Sequence, residues 1–145
     1  MKFLSALLFT VFITQASFAQ DYPEAVYTVD GLAIKGLDPV AYFEGEAKEG
    51  GDKYAFEWSG SKWLFSSKEN LEKFKKSPEA YATQYGGYCA WGMSKGYKAK
   101  IDPENAWTVF NGKLYLNYNA SIKKRWAPKK EELVKVADTN WKKFE

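Results

Sequence analysis

Cys89 is the only cysteine in a 145-residue chain that contains no histidine. No internal disulfide can close, and no chemistry that depends on imidazole can be assembled. The cysteine sits in Tyr85-Gly86-Gly87-Tyr88-Cys89-Ala90-Trp91-Gly92-Met93, where paired glycines precede the thiol and aromatic rings flank it. Without a crosslink, stability has to come from buried apolar surface, and aromatic residues, 18% of the chain, are the bulk available for it. Trp and Tyr also carry a polar edge. The same rings therefore suit either a small core that needs volume or a groove that stacks on flat ligands.

The N-terminus carries an export pattern. Lys2 precedes an apolar run, Phe3 to Ile13, and Thr14-Gln15-Ala16-Ser17-Phe18-Ala19 then places small residues, Ser17 and Ala19, where a signal peptidase reads. This predicts a signal peptide over residues 1–19, a mature chain from Gln20, and a periplasmic or secreted location. The run is short for a bilayer span and no later segment approaches about 20 apolar residues, so no stable membrane insertion is expected after cleavage. No cysteine lies near the cleavage site, which argues against lipid attachment there. Residues 20–145 are enough for one domain with its own core. The formal net charge of +3 falls by one with Lys2. Lysines gather in the last third, but Glu131, Glu132 and Asp138 are interleaved with them, so they read as a solvated helix face and no nucleic-acid partner is expected.

Turn and cap residues divide the mature chain. Asp30-Gly31 between Ala25–Val29 and Leu32–Ile34 predicts a first β-hairpin. Asp38 as N-cap and Pro39 at the first helical position predict a short helix through Phe43, ended by Gly45, with Gly50-Gly51 in a surface loop. Tyr54–Trp58 and Lys62–Phe65 form a second hairpin across Ser59-Gly60-Ser61. Helices follow from Ser67 and, capped by Ser77, from Pro78. After a turn at Asp102-Pro103, Ala106–Phe110 and Lys113–Tyr118 flank Asn111-Gly112 as a third hairpin. Asn119 caps a helix with Ile122 and Trp126, and Pro128 opens a final amphipathic helix carrying Leu133, Val136, Ala137, Trp141 and Phe144. At an offset of 52 residues Gly60 matches Gly112, Trp63 matches Tyr115, Leu64 matches Leu116, Ser67 matches Asn119 and Phe74 matches Trp126. Each unit is a hairpin followed by a capped helix whose aromatic can return to the sheet. The expected fold is a small single α+β domain of β-hairpins and short helices with a C-terminal amphipathic helix.

Three hairpins with intervening helices, the Asp38-Pro39-Val40 opening, and Trp63-Leu64-Phe65-Ser66-Ser67 leading into Asn70, Phe74, Pro78 and Tyr81 resemble the YHS-domain family. The resemblance covers roughly 36–118. In metal-associated members, cysteines stand where this chain has Ala41, Ser66 and Asn70, so that thiolate set is absent. The chain is more similar to the exported, stand-alone members, whose Gly-Gly-Tyr-Cys-Ala and Asp-Pro…Trp segments correspond to Gly86–Ala90 and Asp102-Pro103…Trp107. The resemblance implies a single YHS-like domain over 20–145 and an association with a metal ion or small ligand.

Cys89 has three readings: a small buried hydrophobe, a reactive thiolate activated by backbone amides near Gly86-Gly87, or a soft metal ligand. In the last, Met93 lies four residues on and on the same face if the segment is helical, a thiolate and thioether pair that suits Cu(I). Asp38 and Asp102 each precede proline and read as caps or turns. Ser-His-Asp, Cys-His and Cys-x-x-Cys arrangements are excluded by composition. The expected function is an exported, non-enzymatic binding domain with a ligand site at Asp38, Tyr42, Tyr88, Cys89 and Trp91, where Gly86–Met93 and the Asp38–Tyr42 helix would wall one pocket. The alternatives are a thiol-reactive, enzyme-like protein using Cys89 and a protein-binding accessory module using exposed aromatics. A small ligand or metal ion is the expected partner; a protein partner cannot be named from the sequence.

Overall fold

The computed structural model describes Tyr22 and residues 24–145; the expected signal peptide lies outside them. Among the described residues six strands and five α-helices follow one another as β1 (Thr28–Val29), β2 (Leu32–Ala33), β3 (Gly51–Trp58), β4 (Ser61–Phe65), α1 (Lys68–Lys76), α2 (Pro78–Tyr81), α3 (Ala90–Ser94), β5 (Trp107–Phe110), β6 (Lys113–Leu116), α4 (Ala120–Trp126) and α5 (Lys130–Trp141). The fold is a small α+β domain. Its four-stranded sheet has the order β1-β2-β4-β3, and β5 and β6 form a separate two-stranded sheet.

The hairpins form where their turns permit them. Asp30-Gly31, Ser59-Gly60 and Asn111-Gly112 all have positive φ at both positions, the twist that tight two-residue hairpins need. The first hairpin is shorter than its apolar run, because Ile34 turns left-handed at φ 43° and starts a 3-10 turn over Ile34–Gly36. Leu32 instead reaches Lys62 in parallel, which joins the first hairpin to the second. Gly51, expected in a loop, already pairs with Phe65.

Helix starts follow their caps. The Ser67 hydroxyl accepts from the Asn70 N–H at 3.1 Å and the Asn119 side chain accepts from the Ile122 N–H at 2.8 Å. The helix expected from Pro39 is instead a 3-10 helix over Ala41–Glu44, ended by Gly45 at φ 99°. Asp38 Oδ1 accepts from the Val40 N–H at 2.9 Å, the bond expected of a cap, across the Pro39-Val40 turn that leads into this helix. In α5, Leu133, Ala137 and Trp141 recur every four residues on the packed side, and Leu133 and Ala137 are buried. Val136, expected on that stripe, falls off this four-residue row and is exposed, and Phe144 lies past the end of the helix.

The two similar hairpin–helix units each supply the heart of one apolar cluster. In the first, Phe74 from α1 packs at a ring-centre distance of 5.1 Å from Trp63 of β4; in the second, Trp126 from α4 lies 5.6 Å from Tyr115 of β6. All four rings are buried. The segment 85–93 runs between the clusters: Tyr88 and Cys89 belong to the first, Tyr85 and Met93 to the second.

Candidate functional site

The residues singled out from the sequence lie in packed interior. Asp38, Tyr42, Tyr88 and Cys89 are each 1% exposed or less, and Trp91 is half-buried. Asp38 is held by four hydrogen bonds. Besides Val40 on Oδ1, its Oδ2 accepts from the Ser66 N–H at 2.9 Å, the Ser66 hydroxyl at 2.6 Å and the Asn70 side-chain amide at 2.7 Å. Ser66 and Asn70 are two of the three positions at which the resemblance drawn from the sequence implies a missing thiolate set. Here they converge on a carboxylate whose acceptors are engaged by N–H and O–H donors, so the donor set does not fit a metal ion and instead fixes Asp38 as a structural crosslink.

Tyr42 donates to the Pro103 carbonyl at 2.8 Å and packs edge-on against Trp107 at 5.3 Å. Burial, with the charges of Glu104, Asp102 and Asp38 added, pushes its hydroxyl well above the usual tyrosine range. Tyr88 donates to the Glu24 carbonyl at 2.8 Å, and burial leads the causes that push it up to about 12.

Cys89 caps α3. Its Sγ accepts from the Gly92 N–H at 3.5 Å and lies 3.6 Å from Asn117 Oδ1. Burial pushes the thiol up, outweighing the backbone N–H groups of Gly92, Tyr118 and Trp91 that favour the thiolate. A protonated, sealed thiol is a poor nucleophile and a poor metal ligand. Met93 follows in helical register, its N–H donating to the Cys89 carbonyl at 2.9 Å, yet its side chain is buried in the other apolar cluster. Among the described residues no three His, Cys, Asp or Glu gather as a metal site.

The first of the paired glycines serves a close approach of backbone, while the second packs against the Thr83 side chain. Gly86, at φ 62°, accepts from the Tyr27 N–H at 2.8 Å, and a Cβ built on it would collide with the Ala25 carbonyl oxygen. Gly86 brings the N-terminal segment against the core rather than admitting a ligand at Cys89.

Open space lies on the other side of Gly86. A cavity of about 490 Å³ is lined by Trp58, Thr83, Tyr85, Gly86, Asp138 and Trp141 among others, with Glu79, Lys113 and Lys142 around it. A second, of about 240 Å³, shares Trp58, Ala82, Thr83, Gly86, Trp141 and Glu145 with it and adds Trp63 and Phe144. The two adjoin as one groove between the tip of the β3–β4 hairpin and the end of α5. None of Asp38, Tyr42, Tyr88, Cys89 or Trp91 lines either part. Tyr85 donates to Asp138 Oδ1 at 2.8 Å, fixing the groove's floor to α5, while the buried Thr83 hydroxyl has no hydrogen-bond partner. Burial, then the bond and charge of Asp138, push the Tyr85 hydroxyl far above its ordinary range. Sequence reasoning missed this groove because Trp58, Thr83 and Trp141 belong to separate elements; the surplus of tryptophan was the one signal pointing to it. Compared with protein-family models, with curated proteins and with solved structures, the chain has no match.

Proposed function

We propose that the protein is an exported, non-enzymatic, YHS-like binding domain whose small ligand occupies the groove between Trp58 and Trp141. The observation that carries this reading is the pair of adjoining cavities with indole walls and a rim of both charges. The larger cavity lies within the roughly 300–1,000 Å³ range of small-molecule sites. Aromatic walls favour a molecule with a flat or apolar body, and Lys113, Lys142, Glu79 and Asp138 offer partners to polar ends. The thiol-reactive alternative is disfavoured by the burial of Cys89, and a soft-metal site there by the separation of its side chain from that of Met93 into different clusters.

Native mass spectrometry of the protein recovered from its own compartment tests both parts of the reading. The mass of the polypeptide should correspond to a chain beginning at Gln20; retention of residues 1–19 would sink the export assignment. A co-purifying small molecule should be carried by the wild type and by Cys89→Ser and be lost from Trp58→Ala. Loss in Cys89→Ser with retention in Trp58→Ala would return the site to the cysteine.

A further inference from the structure

All the ion pairs found among the described residues join side chains between Glu44 and Lys75. Several cations outside that region are held over aromatic rings instead. Lys95 and Arg125 lie 5.0 and 5.1 Å from the ring centre of Trp91, Lys100 lies 5.3 Å from Tyr118, and Lys123 lies 5.6 Å from Trp107. The stretches 86–101 and 114–130 contain no acidic residue. They are also neighbours: the Trp91 N–H donates to Asn117 Oδ1 at 3.0 Å, one residue before Tyr118, and Trp107 pairs with Leu116 across the β5–β6 hairpin. Carboxylates border these stretches at Asp102 and Glu104, at Glu131 and Glu132 just past Lys130, and at Glu24, whose backbone carbonyl accepts from Lys98 at 2.9 Å; Asp102 is engaged by Asn105. Tyr97 and Tyr118 stand exposed at 51% and 41% on the same two stretches.

We propose that this face docks the protein onto an anionic lipid surface. Lys95, Lys100, Lys123 and Arg125 are oriented by the rings beneath them and not neutralised by carboxylate partners, so their charge is available to phosphate headgroups. Exposed Tyr97 and Tyr118 supply amphipathic rings of the kind that settle at headgroup level. A stacking polymer fits less well, since the rings of Trp91 and Trp107 lie under cations rather than open to bases or sugars. No helix of the described residues is long and apolar enough to cross a membrane, so the contact proposed is peripheral. None of these cations lines the groove, nor do Trp91, Tyr97, Trp107 or Tyr118, and the two functions stand or fall separately.

The test is co-sedimentation of the full chain with vesicles of phosphatidylcholine plus phosphatidylglycerol, against phosphatidylcholine alone. Lys2 and the apolar run after it contribute equally to wild type and variants, so each variant's ratio of binding to the two kinds of vesicle is read against the wild type. The ratio should favour the anionic vesicles, fall with added salt, and drop about fivefold for each cation removed in Lys95→Gln, Lys123→Gln and Arg125→Gln. The pair Lys53→Gln and Lys68→Gln should leave it unchanged, and Lys95→Glu, at an exposed position, provides a second variant whose folding is not in question. A wild-type ratio near one, equal losses in the control pair, or binding to DNA or heparin without binding to the anionic vesicles would overturn the proposal.

Discussion

Replacing Asp38 with Asn should destabilise the fold by about 3 kcal/mol while leaving its shape almost unchanged. The carboxylate is fully buried and accepts four hydrogen bonds, three on Oδ2 and one on Oδ1. In the variant the amide oxygen can keep the three bonds to Ser66 and Asn70, but without the charge each weakens by roughly 1 kcal/mol. The amide nitrogen then faces the Val40 N–H, donor against donor, at a further cost of about 1–3 kcal/mol. Burying a neutral group instead of a charge returns part of that sum. Urea unfolding followed by tryptophan fluorescence should show a midpoint about 1–2 M lower with an unchanged slope. A second measurement isolates the network: Ser66→Ala should cost about 1 kcal/mol less in the Asp38→Asn background than in the wild type. A loss below about 1 kcal/mol for Asp38→Asn, or strict additivity with Ser66→Ala, would refute the view that this carboxylate ties the 3-10 helix at Ala41–Glu44 to the end of β4.

Gly86→Ala should cost roughly 3 kcal/mol in the same assay, because its Cβ collides with the Ala25 carbonyl oxygen, against about 1 kcal/mol for Gly112→Ala, which meets open space at a similar φ; equal costs would remove the close-approach argument. Tyr88 keeps its proton when folded beyond the ordinary value of 10.0, so stability should be full below about pH 10 and fall as pH rises toward about 12, with Tyr88→Phe making that slope shallower by up to one proton. An unchanged slope in the variant would remove Tyr88 from the effect. Cys89 should react with iodoacetamide on the order of a hundredfold more slowly in the native protein than in urea, since reaction must wait for local opening; equal rates would revive the thiol-reactive reading. Cu(I) uptake, measured by competition with a chromophoric chelator, should be the same in wild type and Cys89→Ser, whereas loss in the variant would restore the Cys89–Met93 site.

Local chemistry made much of this fold legible in the residues alone. Asx-Gly and Ser-Gly turns and the Ser67 and Asn119 caps involve groups a few residues apart, so their partners are fixed by the chain itself, and the recurring pairs Trp63/Phe74 and Tyr115/Trp126 span only eleven residues, from a strand to the next helix. The missing side chains at Gly86-Gly87 are a local fact as well, but that the Ala25 backbone lies against Gly86 is not. What these elements meet depends on docking. Asp38 reads as a cap, but only the tertiary structure brings Ser66 and Asn70 onto its second oxygen. Cys89 and Met93 share a helical register, yet they are buried in different apolar clusters, because burial is decided by neighbouring surfaces and not by spacing. The parallel pairing of Leu32 with Lys62 and the groove between Trp58 and Trp141 belong to that second class. A turn or cap is satisfied within its own few residues, whereas a cavity exists only where separately folded pieces fail to fill the space between them.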